Sequence, residues 1–403
     1  MNAGVGTMEV SSVQSQQILL LPALIGFYFG FRLCISYLFF QADPQTGAAV
    51  SEALNILLFS MVVFYSLGSV PIKLSSTLRI PCFRWVLAFL GISLCSLLWS
   101  VTASLIVAFA YWCAMAADVA MVVLLLRTGP VDKMSASLMR GYIWGACFIA
   151  LVAWLSPTMP DLRPGDNDFF SPNAIGFACA FGVFLAQYLN RIGEHWKIHA
   201  AFLCVTLLRS LSKTTITAFL VGETFLLLRD RSIGRKKKIF IAIAAILVIA
   251  LFWGLIEAYY TVYTNAGNQA ETLTGRLGIW AVVLEQSLDR PWMGHGFHSF
   301  RNVIPPFGDF EAWHAHNEFL QQFYAYGIVG VLLVASLYAS FYRQAKRLAP
   351  PRLKLLLISL LIFILVRGLG DTERFDLSFP LWSITLISLT LSLSSSRQKV
   401  VQS

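Results

Sequence analysis

The chain has 403 residues, of which 57% are apolar and 13% charged, and it carries a formal net charge of +9. An ordinary soluble domain, with about a quarter of its residues charged, is excluded by that balance. The basic excess does not signal nucleic acid either, because its positions follow a membrane topology.

Apolar runs lie near residues 17–40, 50–70, 83–99, 102–126, 137–156, 171–189, 198–211, 213–228, 239–257, 319–342, 355–369 and 377–395. Most approach the roughly 20 residues that an α-helix needs to cross about 30 Å of hydrocarbon. They are apolar throughout rather than alternating, so barrel strands are a poor account. The expectation is one all-α polytopic membrane domain over 1–403 with about 12 transmembrane helices. The runs 198–211 and 213–228 abut and fit either two spans or a re-entrant hairpin; 355–369 is short. No Lys or Arg precedes the first run, so it reads as an uncleaved first span rather than a signal peptide.

Twenty-one of the thirty Lys and Arg fall in every second gap: Lys73–Arg84, Arg127–Arg140, Arg191–Lys197, Arg229–Lys238, Arg343–Lys354 and Arg397–Lys399. Positive residues stay in the cytoplasm, so these gaps and both termini are assigned there. Membrane lipids, not nucleic acid, are the partners that such juxtamembrane charge implies. Arg32 lies inside the first run, where an unpaired charge is costly enough to demand a partner or a lipid path. The seven cysteines lie in or beside spans, which speaks against a disulfide framework.

The gap over residues 258–318 is then one large periplasmic loop. It holds Trp280, Trp292, Trp313 and four of the six histidines. Leu277, Trp280, Ala281, Leu284 and Leu288 recur at helical spacing, as in an interfacial amphipathic helix. The remaining outward cations are few: Arg163, Arg209, Lys213, Arg276, Arg290, Arg301, Arg367 and Arg374.

Five segments, taken in order, carry a resemblance: Leu98-Trp99-Ser100; Phe169 through Gly176 with Pro172-Asn173; Gly275-Arg276 followed by Trp280; Pro291 through Gly296; and His316-Asn317 followed by Gly327 and Gly330. Over roughly 90–375 the chain resembles the bacterial O-antigen ligase and polysaccharide polymerase superfamily. The resemblance implies a GT-C-type glycosyltransferase that moves a glycan from undecaprenyl diphosphate to a sugar hydroxyl at the outer face of the bacterial inner membrane. Polymerisation of exopolysaccharide or O-antigen repeat units stands slightly ahead of ligation to lipid A–core, because this chain has Ser212-Lys213 where many relatives have Ser-Arg. Other polysaccharide-export proteins are candidate partners. A lipid-linked glycan transporter remains the alternative from another class, but the charged candidates gather at the outer boundary rather than at mid-depth.

A lipid diphosphate is already a good leaving group, so the enzyme must neutralise developing charge and orient a hydroxyl. Guanidinium and ammonium groups suit the first task. Arg276 is the leading candidate, with Lys213, Arg209 and Arg367 as further diphosphate contacts. His316 suits the second, since imidazole accepts a proton near neutral pH. Asn317 would hold the ring or a sugar hydroxyl, and His314, Asn173 and Asp371 would contact substrate. His295 and His298 read as loop packing, and Gly327 and Gly330 as sites of close helix approach. Two metal readings are open to the sequence: Asp166-Asn167-Asp168 as a divalent site, and His314, His316 and Glu318 as a zinc set. The chain's own cations make a metal unnecessary, so no metal and no cofactor is expected, and the transfer is read as inverting.

Overall fold

The computed structural model describes residues 19–40, 44–68, 74–166, 170–251, 253–265, 276–300, 304, 313–372 and 377–401. Among these residues the regular structure is helical, apart from one isolated bridge between Thr158 and Pro164. The helices are α1 (Leu20–Phe31), α2 (Ile35–Phe39), α3 (Pro44–Leu67), α4 (Leu74–Leu78), α5 (Pro81–Ser96), α6 (Leu105–Thr128), α7 (Val131–Leu155) and α8 (Pro172–Arg191). They continue with α9 (Lys197–Arg209), α10 (Lys213–Arg229), α11 (Arg235–Leu251), α12 (Trp253–Asn265), α13 (Arg276–Asp289), α14 (Glu318–Lys346), α15 (Pro351–Gly368) and α16 (Leu381–Val401).

Each apolar run carries a helix, and the protein is an all-helical integral membrane protein. Six segments are both long and apolar enough to cross a membrane: Leu20–Phe39, Thr46–Leu67, Leu105–Thr128, Val131–Leu155, Pro172–Arg191 and Glu318–Lys346. The other runs give shorter or more charged helices, such as α9 with 13 residues and α5 with 16. At 1.5 Å per residue these fall short of a full hydrocarbon crossing on their own.

Helices α1 and α7 cross at close range. Gly26 and Gly30 on α1 face Gly141 and Gly145 on α7, and a Cβ at Gly26 would stand 1.9 Å from the Leu138 carbonyl oxygen. Small residues four apart let two backbones meet in an apolar solvent, where hydrophobic burial gives helices no reason to associate. Beyond this contact α1 loosens into a 3-10 turn at Arg32–Cys34. Arg32 is satisfied there: its Nη1 lies 2.6 Å from Asp118 Oδ2 on α6, and Asn55 Nδ2 of α3 donates to Asp118 Oδ1 at 3.2 Å.

Helices α9 and α10 run antiparallel, joined by a three-residue turn with Leu211 at φ 51°; both pack on α8, α9 also on α7 and α10 also on α15. Four helices link the two ends of this part of the bundle. The starts of α8 and α10 meet through Asn173 and Ser212. At the far end, Asn190 of α8 accepts from Trp196 N–H before α9, and Arg191 Nη1 donates to the Arg352 carbonyl of α15.

Helix α14 is broken at Gly327, with φ 62° and ψ −156°. The break redistributes backbone hydrogen bonds. Ile328 N–H donates to the Pro291 carbonyl (2.8 Å), while the freed carbonyls of Tyr324 and Ala325 accept from His295 and Gly296 N–H at 2.9 and 2.7 Å. Gly327 therefore approaches a turn and not a neighbouring helix; a Cβ there would lie 2.3 Å from the Trp292 carbonyl carbon.

Candidate functional site

The turn that docks on this break also receives the end of α5. Ser100 Oγ donates to the Phe297 carbonyl (2.7 Å), Val101 N–H to the His295 carbonyl (3.0 Å), and Phe297 N–H to Ser96 Oγ (2.9 Å). Three of the sequence elements singled out above, Trp99-Ser100, Pro291–Gly296 and Gly327–Gly330, are thus one framework. His295 belongs to it: burial lowers its imidazole below the ordinary value, and its ring stacks on Tyr324 at 4.5 Å. His298 stacks on Tyr111 at 5.0 Å. Both histidines are packing residues, as the sequence suggested.

Helix α13 follows the expected amphipathic pattern with a division of faces. Ile279 and Val283 pack with Phe300, Ile304, Ala315 and Tyr324, while Leu277, Leu284 and Leu288 stay exposed. Trp280 Nε1 donates to the Ala315 carbonyl (2.8 Å), which ties α13 to the His314–Asn317 segment.

That segment is held from several sides. Asn317 caps α14, accepting from Leu320 N–H at 3.0 Å, and its Nδ2 donates to the Leu369 carbonyl at 3.1 Å. Ala315 N–H donates to Gln321 Oε1 at 2.7 Å. His316 N–H donates to His314 Nδ1 at 3.1 Å, which makes that nitrogen the unprotonated acceptor of the ring. His316 itself has φ 49°, a left-handed conformation that costs a branched or bulky L-residue about 1 kcal/mol or more. The surroundings over-determine it, and the consequence is that the ring turns to the end of α15.

There Asp371 Oδ1 stands 3.4 Å from His316 Nδ1, long for a hydrogen bond but close for a charge partner. Asp371 Oδ2 lies 3.3 Å from Arg367 Nη2, and both side chains are almost fully buried. Burial alone would raise the Asp371 carboxyl. The Arg367 guanidinium, together with the two imidazoles, outweighs it and holds the group below the ordinary carboxylate range. Arg367 also donates to the Ser378 carbonyl (3.1 Å) and lies over the Phe177 ring at 4.4 Å. Ser378 N–H in turn donates to Glu318 Oε2 (3.1 Å), whose other oxygen accepts from Tyr338 Oη (2.6 Å). Arg367 is consequently a buried strut for Asp371 rather than an open phosphate ligand.

Across the α15 end lie the cations. Arg276 is the first residue of α13, and its Nη1 donates to Thr214 Oγ1 at 2.9 Å, one residue after Lys213 at the start of α10. A Cβ at Gly370 would meet Thr214 at 2.8 Å and Arg276 Nη1 at 3.3 Å, so these groups adjoin the residue before Asp371. Asn173 joins through its Oδ1, which accepts from Ser212 Oγ at 2.8 Å. Helices α8, α10, α13 and α14 therefore all begin at one end of the bundle, beside the finish of α15. Helix starts expose unpaired amide N–H groups and carry partial positive charge, so this end suits an anion. Arg209 is nearby but lies over Trp154 at 4.5 Å, with its Nε unbonded among the described residues.

The structure thus brings together His316, His314, Asn317, Asp371, Arg367, Arg276, Lys213 and Asn173. Sequence reasoning missed Thr214, Gln321, Ser378 and Tyr338, which hold the candidates in place; only the position of Thr214 beside Lys213 offered a hint. Arg163 pairs with Asp161 at 2.5 Å, and Asp166 accepts from Phe170 N–H at 2.8 Å in a turn. Arg301, Arg374, Glu373, Asn167 and Asp168 lie outside the described residues. Glu318 points into the bundle, away from a zinc set with the histidines. The third group beside the two imidazoles is Asp371, and the three offer atoms within 4.8 Å of one another, a spacing that a divalent cation can use. Arg367 already supplies the positive charge on that carboxylate, which disfavours a second cation there.

With this geometry in view, residues 198–335 match the family model described as O-antigen ligase. The chain is also 32% identical over 156 residues to an O-antigen ligase of Pseudomonas aeruginosa, an alignment covering 39% of this chain and 37% of that protein. The matched segment is similar to the O-antigen ligase family. It contains Lys213, Arg276, His314, His316 and Asn317, and it ends before Arg367 and Asp371.

Proposed function

We propose that the protein is a metal-independent, inverting glycosyltransferase that moves a glycan from undecaprenyl diphosphate to a sugar hydroxyl. The observation that carries this reading is an imidazole, His316, backed by a buried carboxylate and set beside two cations at helix starts. A carboxylate against Nδ1 favours the tautomer that leaves Nε2 as the proton acceptor. His316 then takes the proton of the acceptor hydroxyl as its oxygen attacks the anomeric carbon. The bond to the diphosphate oxygen breaks, its electron pair stays with the phosphate, and Arg276, Lys213 and the helix starts stabilise that charge.

Among the described residues, the engagement of the carboxylates nearest His316 supports inversion. A double displacement needs a free carboxylate nucleophile, whereas Asp371 is tied to Arg367 and Glu318 to Tyr338 and Ser378. Single displacement inverts the anomeric centre.

The charge pattern supports the bacterial inner membrane, twelve spans, cytoplasmic termini and a site facing the periplasm. The relative named an O-antigen ligase favours lipid A–core as acceptor, and Lys213 in place of Arg favours a growing repeat-unit chain. The test is reconstitution in proteoliposomes with a defined undecaprenyl-diphosphate-linked glycan and either acceptor. A ladder of lengthening products supports polymerisation, and one discrete addition to lipid A–core supports ligation. Absence of transfer to both, with donor consumed by other transferases, defeats the proposal.

A further inference from the structure

At the end of α8, α9, α10 and α15 opposite His316 lies a cavity of about 760 Å³. Its volume falls in the range of small-molecule sites, about 300–1,000 Å³. It is lined by Arg191, Lys197 and Arg352 against one carboxylate, Asp230, with Pro350 and Pro351 on one wall. The four helices fix its position: α8 and α10 start beside the candidate active site and end here, while α9 and α15 start here and end there. Helix α8, with 20 residues, runs the whole way and spans about 30 Å, so the two sites lie about one hydrocarbon thickness apart.

The cavity lining keeps a net positive charge: three cations face one lining carboxylate, Asp230, which interacts with Arg191 and Arg352. Asp230 is engaged by Ser232 N–H and Oγ at 2.9 and 2.7 Å. Glu194, close in sequence, is held in a two-pronged pair by Arg140 at 2.9 and 2.8 Å. Glu223, the other carboxylate near Arg191, accepts from Gln187 Nε2 at 2.9 Å. The starts of α9 and α15 add to the positive field, and neither has a side-chain cap. Beside this charge the surface is apolar, with Ile192 and Ile198 exposed next to Arg191 and Lys197. Basic groups below and apolar groups at the edge match a molecule with a phosphate head and acyl tails.

We propose that this cavity binds the phosphate of an anionic phospholipid headgroup from the leaflet opposite the candidate active site. The proposal rests on the bundle being embedded in a membrane and not on the transfer reaction. Basic pockets between helices are suited to such headgroups, and each basic residue contributes a factor of about five in affinity.

The test uses the purified full-length protein in mild detergent, titrated with dioctanoyl phosphatidylglycerol, dioctanoyl phosphatidylcholine or inorganic phosphate, with binding read by native mass spectrometry and thermal shift. Phosphatidylglycerol is expected to bind at least about tenfold more tightly than phosphatidylcholine and to resist displacement by millimolar phosphate. Arg352→Gln and Lys197→Gln, both at exposed side chains, should each weaken it about fivefold without changing the melting temperature of the lipid-free protein. Arg191→Gln is the harsher variant, because Arg191 also bonds the Arg352 carbonyl. Equal binding of the two lipids, unchanged affinity in both exposed variants, or phosphate binding as tightly as the lipid would each overturn the proposal. No readout depends on glycan transfer, so its failure leaves the proposed reaction untouched.

Discussion

Asp371 Oδ1 lies 3.4 Å from His316 Nδ1, although one residue follows the end of α15 and the other precedes the start of α14. The pair forms because His316 adopts a left-handed backbone and because Arg367, buried beneath, fixes the carboxylate from its other side. Function in this reading depends on a stack: Tyr338, Glu318 and Ser378 support Arg367, Arg367 supports Asp371, and Asp371 orients the imidazole.

Replacing Asp371 by Asn should reduce both activity and stability. Removing one partner of a buried pair leaves an uncompensated charge, here on Arg367, at a cost of about 3 kcal/mol. The Asp371 carboxyl is held below the usual value of about 3.9, so an unfolded chain takes up the proton first as pH falls. The stabilisation is therefore fully present above about pH 4 and is lost as pH falls toward the folded-state value. Thermal melts of wild type and Asp371→Asn should differ most at neutral pH and converge below about pH 4. A constant gap down to pH 3 would remove the charge pair as the cause.

His316→Ala should lower transfer by about 100-fold or more, the usual contribution of a positioned acid or base. His316→Asn is the cleaner variant, because Asn tolerates the left-handed conformation and lacks a titrating ring. Both should remain in the membrane fraction with an unchanged melt. Wild-type rates in His316→Asn would exclude proton transfer by this ring.

In the proposed reaction Arg276 acts through charge and geometry together. Arg276→Ala should cost about 100-fold or more in kcat with a smaller effect on KM, since the charge that it meets grows in the transition state. Arg276→Lys should recover part of that loss, because an ammonium supplies charge without the planar fork. Thr214→Val, which removes only the 2.9 Å bond to Arg276, should fall between wild type and Arg276→Lys. A KM effect alone in Arg276→Ala would assign the residue to ground-state binding.

Chelation separates the charge pair from a metal centre. With Arg367 already beside Asp371, EDTA should leave transfer rates within error of the untreated protein, and added Mg²⁺ or Zn²⁺ should not raise them. Loss of activity with EDTA and its recovery with one of these ions would reassign His314, His316 and Asp371 as ligands.

How much of this was legible beforehand differs by kind. The apolar runs became helices because a stretch that avoids water must satisfy its backbone internally. Arg276 and His316 stood out through the motifs of the family that the chain resembles, and Lys213 because it lies where two apolar runs meet. What stayed hidden was pairing. Arg32 needed a partner, but nothing in the first run points to Asp118 on α6. Glu318 looked like a companion of His314 and His316 by proximity in sequence, yet the first residue of α14 directs its side chain into the bundle. The spacing of Gly327 and Gly330 suited a helix crossing as well as a helix break, and sequence spacing cannot separate the two.

Gly327 offers the sharpest check of the framework. Alanine there would place a Cβ 2.3 Å from the Trp292 carbonyl carbon while holding φ at 62°. Either α14 straightens, recovering its own hydrogen bonds and releasing the Pro291–Gly296 turn, or the strain remains in the fold. Both routes destabilise, by about 1–3 kcal/mol for the backbone conformation alone. Gly327→Ala should therefore lower the melting temperature and raise protease cleavage near residues 291–296. Activity should fall as well, since the same break positions the helix that carries Asn317. Gly330→Ala is the paired control: its Cβ would meet mainly the Tyr326 side chain and the Gln322 carbonyl of its own helix, at 2.6 and 2.8 Å. It should perturb stability while sparing the turn, so cleavage near residues 291–296 should stay at the wild-type level. Equal protection of that turn in wild type and Gly327→Ala would mean that the broken helix does not hold it.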